Sequence, residues 1–86
     1  MYNDELIPGL VVPAGYHGIF RKRLAEIGVA ISVSNCLIAQ AHAEGLVEAL
    51  EILTDVTAAQ HIERLYALIE DATMARLAEL QSSAGA

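Results

Sequence analysis

The sequence predicts an all-α protein: a short N-terminal helix plus a long antiparallel helical hairpin, completing a four-helix bundle by homodimerisation. Three observations lead there. Hydrophobic residues fill 55% of the 86 positions with no Trp and one Phe, so the core must come from Leu, Ile, Val and Ala, the side chains of packed helices. Apolar residues recur at three- and four-residue spacing through most of the chain, the period of a helix with a buried face. The middle helical stretch is apolar over more of its circumference than one neighbour covers, and a chain of this size buries only roughly 60% of its unfolded surface on its own. A second copy would supply the missing cover.

Taken in order, residues 1–18, MYNDELIPGLVVPAGYHG, contain both prolines and read as an irregular arm, with a turn at Pro8-Gly9. Leu6, Ile7, Leu10, Val11 and Val12 keep this arm from being a polar tail; they need a surface to lie on. Phe20, Leu24 and Ile27 fall at i, i+4 and i+7 and predict a first helix over residues 17–27, with Gly28 as its stop. Residues 29–33 alternate like a strand, but a lone short strand has no partner here, so they read as a link or as continued helix. Ser32 or Ser34 caps a second helix over residues 34–53. After the break TDVT, Thr57 followed by Gln60 has capping-box spacing and opens a third helix to about Leu80. The helical domain thus spans residues 19–81, with 82–86 as a flexible tail. The short connection between the second and third helices makes them an antiparallel hairpin.

The second helix raises the question of cover. At about 100° per residue, Gln40, Glu44, Glu48 and Glu51 share one narrow wedge, leaving roughly 240° apolar, against roughly 100° for an ordinary surface helix. Within that arc Ala41, Gly45 and Ala49 repeat every four residues and form a smooth strip that another backbone can approach closely. Ile38 and Ile52 extend it. Two readings stay open: Tyr66 and Ile62 of the third helix fill the strip, or it meets its own copy across a two-fold axis. The candidate interface is Ala41, Gly45, Ala49, Ile38 and Ile52, with Leu10 and Val12 contributed by the arm.

Little in the chain suggests chemistry. His42 has no acid, His or Cys four positions away, and His61 falls roughly 12 Å from it along the hairpin at 1.5 Å per residue, so no metal site forms by spacing. Cys36 is the one cysteine; it reads as a buried structural thiol in a reducing compartment. Arg76 stands at the centre of the third helix's apolar face and is expected to snorkel or to bond the open end of the second helix. The cluster Arg21-Lys22-Arg23 is expected to face the Glu44, Glu48 and Glu51 wedge. LAEIGVAISVSN resembles a helix-turn-helix with Gly28 at the turn. That alignment, however, places Ser34 where a buried aliphatic belongs, and the would-be reading helix NCLIAQAHAE has no Lys or Arg to reach phosphate or base.

A net charge of −6 from eleven acids and five bases argues against nucleic acid as a partner. The apolar run after Arg23 is too interrupted by polar residues for a membrane helix or a processed signal. The expectation is therefore a cytoplasmic, non-catalytic protein-protein interaction module: an adaptor, inhibitor or regulatory subunit without cofactor, dimeric and bound to another protein. The alternative is a small-molecule-binding or enzymatic domain with a pocket near His42, Cys36 and Tyr66. A nucleic-acid site at Arg21-Lys22-Arg23 is a third possibility.

Overall fold

In a computed structural model, the described residues, 12–53 and 59–84, form three helices and no strand: α1 (Tyr16–Gly28), α2 (Val33–Leu53) and α3 (Ala59–Ala84). The all-α expectation holds, and each helix packs on both of the others. Helices α1 and α2 each begin one residue earlier than the sequence reading has them, and the largest difference is at the end of α3.

Helix α1 begins at Tyr16, inside what the sequence assigns to the arm. The cause is a tight turn over Pro13–Tyr16, closed by the Tyr16 N–H donating to the Pro13 carbonyl at 3.1 Å. Gly15 lies in the left-handed region at φ 83°, ψ −10°, the conformation a type II turn requires at its third residue and one that glycine adopts without strain. The Gly15 carbonyl then accepts from the Ile19 N–H at 3.2 Å and starts the helix. At the other end α1 stops with Gly28, as expected, but not through a left-handed glycine: Gly15 is the sole positive-φ residue described. The link turns instead through Val29 and Ala30, whose N–H groups donate back to Ala25 and Ile27.

Ser32 caps α2: its hydroxyl accepts from the Asn35 N–H at 3.1 Å, and its carbonyl accepts the first helical bond from Cys36. Residues 29–32 are thus a link, which resolves the strand-or-helix ambiguity. The expected cap at Thr57 lies outside the described residues. Helix α3 runs to Ala84, past the expected end near Leu80, because Gln81, Ser82 and Ser83 contain no breaker and the next glycine is Gly85.

The core lies between the three helices. Phe20 and Ile27 from α1, Cys36, Ala43 and Val47 from α2, and Leu65 and Ile69 from α3 are fully buried, joined by Tyr16, Ala30, Ala39, Leu50 and Ile62. Tyr16 and Phe20, one turn apart, stack at 6.2 Å between ring centroids. Helix α2 meets its neighbours mainly through small residues at mid-length, Ala39 and Ala43, so the bulk there comes from the partner helices. Polar ties fix the register. The Tyr16 hydroxyl donates to the Leu46 carbonyl at 3.2 Å, the Cys36 thiol approaches the Thr73 carbonyl at 4.0 Å, and the Tyr66 hydroxyl donates to Glu51 at 2.9 Å. Early α2 thus meets late α3 and the end of α2 meets early α3, which makes the hairpin antiparallel.

Arg76 shows what a buried-face cation does here. Its Nε donates to the Ala30 carbonyl at 2.8 Å and its Nη1 to Glu79 at 3.2 Å. The bond goes to the α1–α2 link and not to the start of α2, because the open end of a helix at its N-terminus presents N–H donors, which a guanidinium cannot satisfy.

Phe20 is the largest fully buried side chain and the one Phe in the chain. Phe20→Ala should cost about 3–5 kcal/mol, a large share of the stability of a domain this small. Urea titration followed by circular dichroism should show the midpoint falling accordingly, whereas Ile52→Ala, at an exposed position, should change it by less than about 0.5 kcal/mol in the monomer.

Candidate interface on the second helix

Helix α2 is flanked by α1 and α3, which cover the face carrying Cys36, Ala39, Ala43, Val47 and Leu50. The opposite face is open. Ile38 is 53% and Ile52 79% exposed, with Ala41, Gly45 and Ala49 exposed between them. A Cβ built on Gly45 would meet no atom of the described residues within 4 Å. The third helix therefore does not fill the strip: Ile62 is buried in the core, and Tyr66 is held by Glu51 on another side of α2. Of the two arm residues assigned to the interface, Val12 packs half-buried against the chain's own core, and Leu10 lies outside the described residues.

The strip is one wall of an open groove of about 490 Å³ lined by Arg23, Ala41, His42, Gly45, Leu46 and Ala49. Arg23 reaches it from α1. Its guanidinium bonds both carboxylate oxygens of Glu26, at 3.0 and 3.1 Å, so this residue of the basic cluster does not pair with the Glu44, Glu48 and Glu51 wedge as the sequence suggested. Arg23 stands on the far side of the strip from those carboxylates, while Glu26, three residues on along the same helix, is within reach.

The wedge itself is felt by Tyr66. Burial pushes its phenol up to about 12, with the hydrogen bond to Glu51 and the charges of Glu51, Glu48 and Glu44 adding in the same direction. Burial alone pushes Tyr16 to about 12.

His42, Cys36 and Tyr66 do not come together. Cys36 is buried against α3, His42 is exposed beside the groove, and Tyr66 bonds Glu51, fifteen residues from Cys36 along α2, roughly 22 Å at the helical rise. Among the described residues no three His, Cys, Asp or Glu side chains are grouped to hold a metal ion, and no helix is long and apolar enough to cross a membrane. Among them, every buried side-chain nitrogen or oxygen has a hydrogen-bond partner. No protein-family model matches the chain, and comparison with curated proteins and with solved structures gives no significant match.

Two outcomes follow from this geometry. Both raised phenols favour the neutral form when folded, so their contribution is fully present below the ordinary tyrosine value of 10.0 and is lost as pH rises from there through about 12. Tyr16→Phe should remove its share of that alkaline slope, and should cost about 0.5–1.5 kcal/mol at neutral pH through the bond to Leu46. Thermal melts across that pH range measure both. Separately, Gly45→Ala should raise the helix stability of the monomer by up to about 1 kcal/mol, since within the chain the added methyl enters open space; a loss of stability in the dilute monomer would mean that the strip is occupied within the chain.

Proposed function

We propose that this chain is a non-catalytic protein-protein interaction module, an adaptor, inhibitor or regulatory subunit, which works as a homodimer and presents apolar helix faces to a partner protein. One observation carries the reading. With both neighbours in place, α2 still exposes Ile38 and Ile52 along a strip whose centre, Gly45, meets none of the described residues. A row of aliphatics left in water is costly, at about 25 cal/mol per Å² of apolar area that a partner could cover. Small residues at its centre allow a second helix to approach closely, and apolar burial then supplies the affinity while the charged rim sets register.

Because α1 and α3 both pack on the face of α2 away from the strip, such a dimer joins two three-helix units along α2. A reducing, cytoplasmic setting suits the buried, unpaired Cys36 thiol.

Sedimentation equilibrium of the wild-type chain and of Gly45→Leu tests this. The wild type should sediment above its 9.2 kDa monomer mass at micromolar concentration. Gly45→Leu should shift it toward a folded helical monomer, since overpacking a close helix contact costs about 1–3 kcal/mol. A wild type that stays monomeric, or a variant that self-associates equally well, contradicts the reading.

A further inference from the structure

We infer that the furrow where α2 and α3 pack receives a cationic amphipathic helix of another protein. Its aliphatic end lies on Val33, Leu37 and Met74, and its Lys or Arg end lies against Glu44, Glu48 and Glu70. This deepens the protein-binding reading above and rests on it, but it uses the α3 side of α2 and holds for a monomer or a dimer. At about 100° per residue, Val33, Leu37, Glu44, Glu48 and Glu51 stand within about 60° of one another on α2. The same count places Tyr66, Leu77, Glu70, Glu63 and Met74 within about 80° on α3. Two contacts set these edges side by side. The Tyr66 hydroxyl on Glu51 closes one end, and on top of burial the charges of Glu51, Glu48 and Glu44 all raise that phenol. At the other end the Cys36 thiol lies at the Thr73 carbonyl, so Leu37 and Met74, the next residue on each helix, share a level.

The furrow changes character along its length. Near the α1–α2 link it is apolar: Val33, Leu37 and Met74 are exposed and Leu77 is half-buried. Towards the other end it is acidic, with Glu44, Glu48 and Glu51 from α2 and Glu63 and Glu70 from α3. Among the described residues, none of Glu44, Glu48, Glu63 and Glu70 is in an ion pair. Arg23 and Arg76 are held by Glu26 and Glu79 of their own helices, and Arg64 stands about 160° round α3 from Tyr66. Glu44 and Glu48, one turn apart, therefore repel each other with no cation of the described chain paired to them. That pattern selects the occupant. The aliphatic half alone would take any apolar segment. The acidic half repels anionic lipid and nucleic acid, and a second copy with a net charge of −6 brings it more acid than base. A helix with apolar side chains at one end and Lys or Arg at the other satisfies both halves. From Val33 to Glu51 the face is roughly 27 Å long, which takes about 18 residues of helix at 1.5 Å per residue. Apolar burial supplies the affinity, and the charges fix the direction.

The probe is a labelled, alanine-based helical peptide of about 18 residues, with two Leu one turn apart at one end and three Lys at four-residue spacing at the other. It is made in both sequence directions and titrated with the full chain by fluorescence anisotropy in low salt. One direction should bind, and its counterpart with Glu in place of Lys should not. Glu44→Lys and Glu70→Lys should each weaken binding about tenfold, and Leu37→Ser and Met74→Ser about threefold or more. Asp71→Lys changes the net charge equally but lies about 100° further round α3 than Glu70; it should leave binding within about twofold. Circular dichroism confirms that each variant is folded. Equal weakening by Asp71→Lys would mean attraction by net charge alone, and indifference to both Leu37→Ser and Met74→Ser would mean that the aliphatic half takes no part. Either result overturns the inference, as does absence of binding in both directions. Sedimentation of the same samples separates it from the reading above. A dimer that binds no peptide contradicts the inference alone, whereas a monomer that binds it contradicts the homodimer and supports this face. Loss of self-association in Glu70→Lys, without peptide binding by the wild type, would give the face to a second copy and overturns the inference.

Discussion

Everything in this fold is arranged around the surplus of apolar surface on α2. A helix that is apolar over roughly two thirds of its circumference cannot be a surface helix of a two-layer protein. It must be flanked on more than one side. Helix α1 takes one flank, tied through Tyr16 to the Leu46 carbonyl, and α3 takes another, with Thr73 beside Cys36 and Tyr66 on Glu51. The small residues Ala39 and Ala43 on the buried face admit Phe20, Ile27, Leu65 and Ile69, which supply the volume of the core. Two flanks still do not exhaust the arc, and the remainder is the strip from Ile38 to Ile52.

The magnitudes say which interactions hold the unit together. Burying an aliphatic or aromatic side chain contributes about 1.5–3 kcal/mol, and Phe20, Ile27, Val47, Leu65 and Ile69 are all fully buried. The inter-element hydrogen bonds, from Tyr16, Tyr66 and Arg76, contribute about 0.5–1.5 kcal/mol each net of lost hydration. The Arg23–Glu26 and Arg76–Glu79 pairs, partly open to solvent, contribute less still. The core therefore provides the stability, while the polar ties select one register among the packings that the smooth Ala and Leu surfaces would otherwise permit. Arg76 is the clearest case: its Nε ties the α1–α2 link to α3 through Ala30.

Much of this was legible from residue types alone. Periodicity located three helices, Ser32 was one of two candidate caps beside Ser34, and the small-residue strip could be listed residue by residue, because each depends on spacing within one segment. What escaped the sequence depends on how segments meet. The turn at Gly15 was hidden because Pro13 and Gly15 read equally well as part of an irregular arm until a bond from Tyr16 closes them. Arg23 was assigned to the Glu44, Glu48 and Glu51 wedge because helical register does not say which side of α2 the first helix occupies; the structure puts Arg23 on the far side of the strip from those carboxylates. Whether Tyr66 fills the space over Gly45 was undecidable for the same reason: a hairpin counted in residues fixes levels along the axis but not rotation about it.

The central claim is that the open face of α2 is a contact surface and not a permanent patch of exposed aliphatics. Isoleucine methyl resonances, recorded against a soluble paramagnetic agent at increasing protein concentration, test it at the residues concerned. Ile31, in the link and 80% exposed, serves as the internal reference. The methyl groups of Ile38 and Ile52 should become shielded from the agent as concentration rises while Ile31 stays accessible. If all three remain equally accessible at every concentration, the α2 face does not mediate self-association.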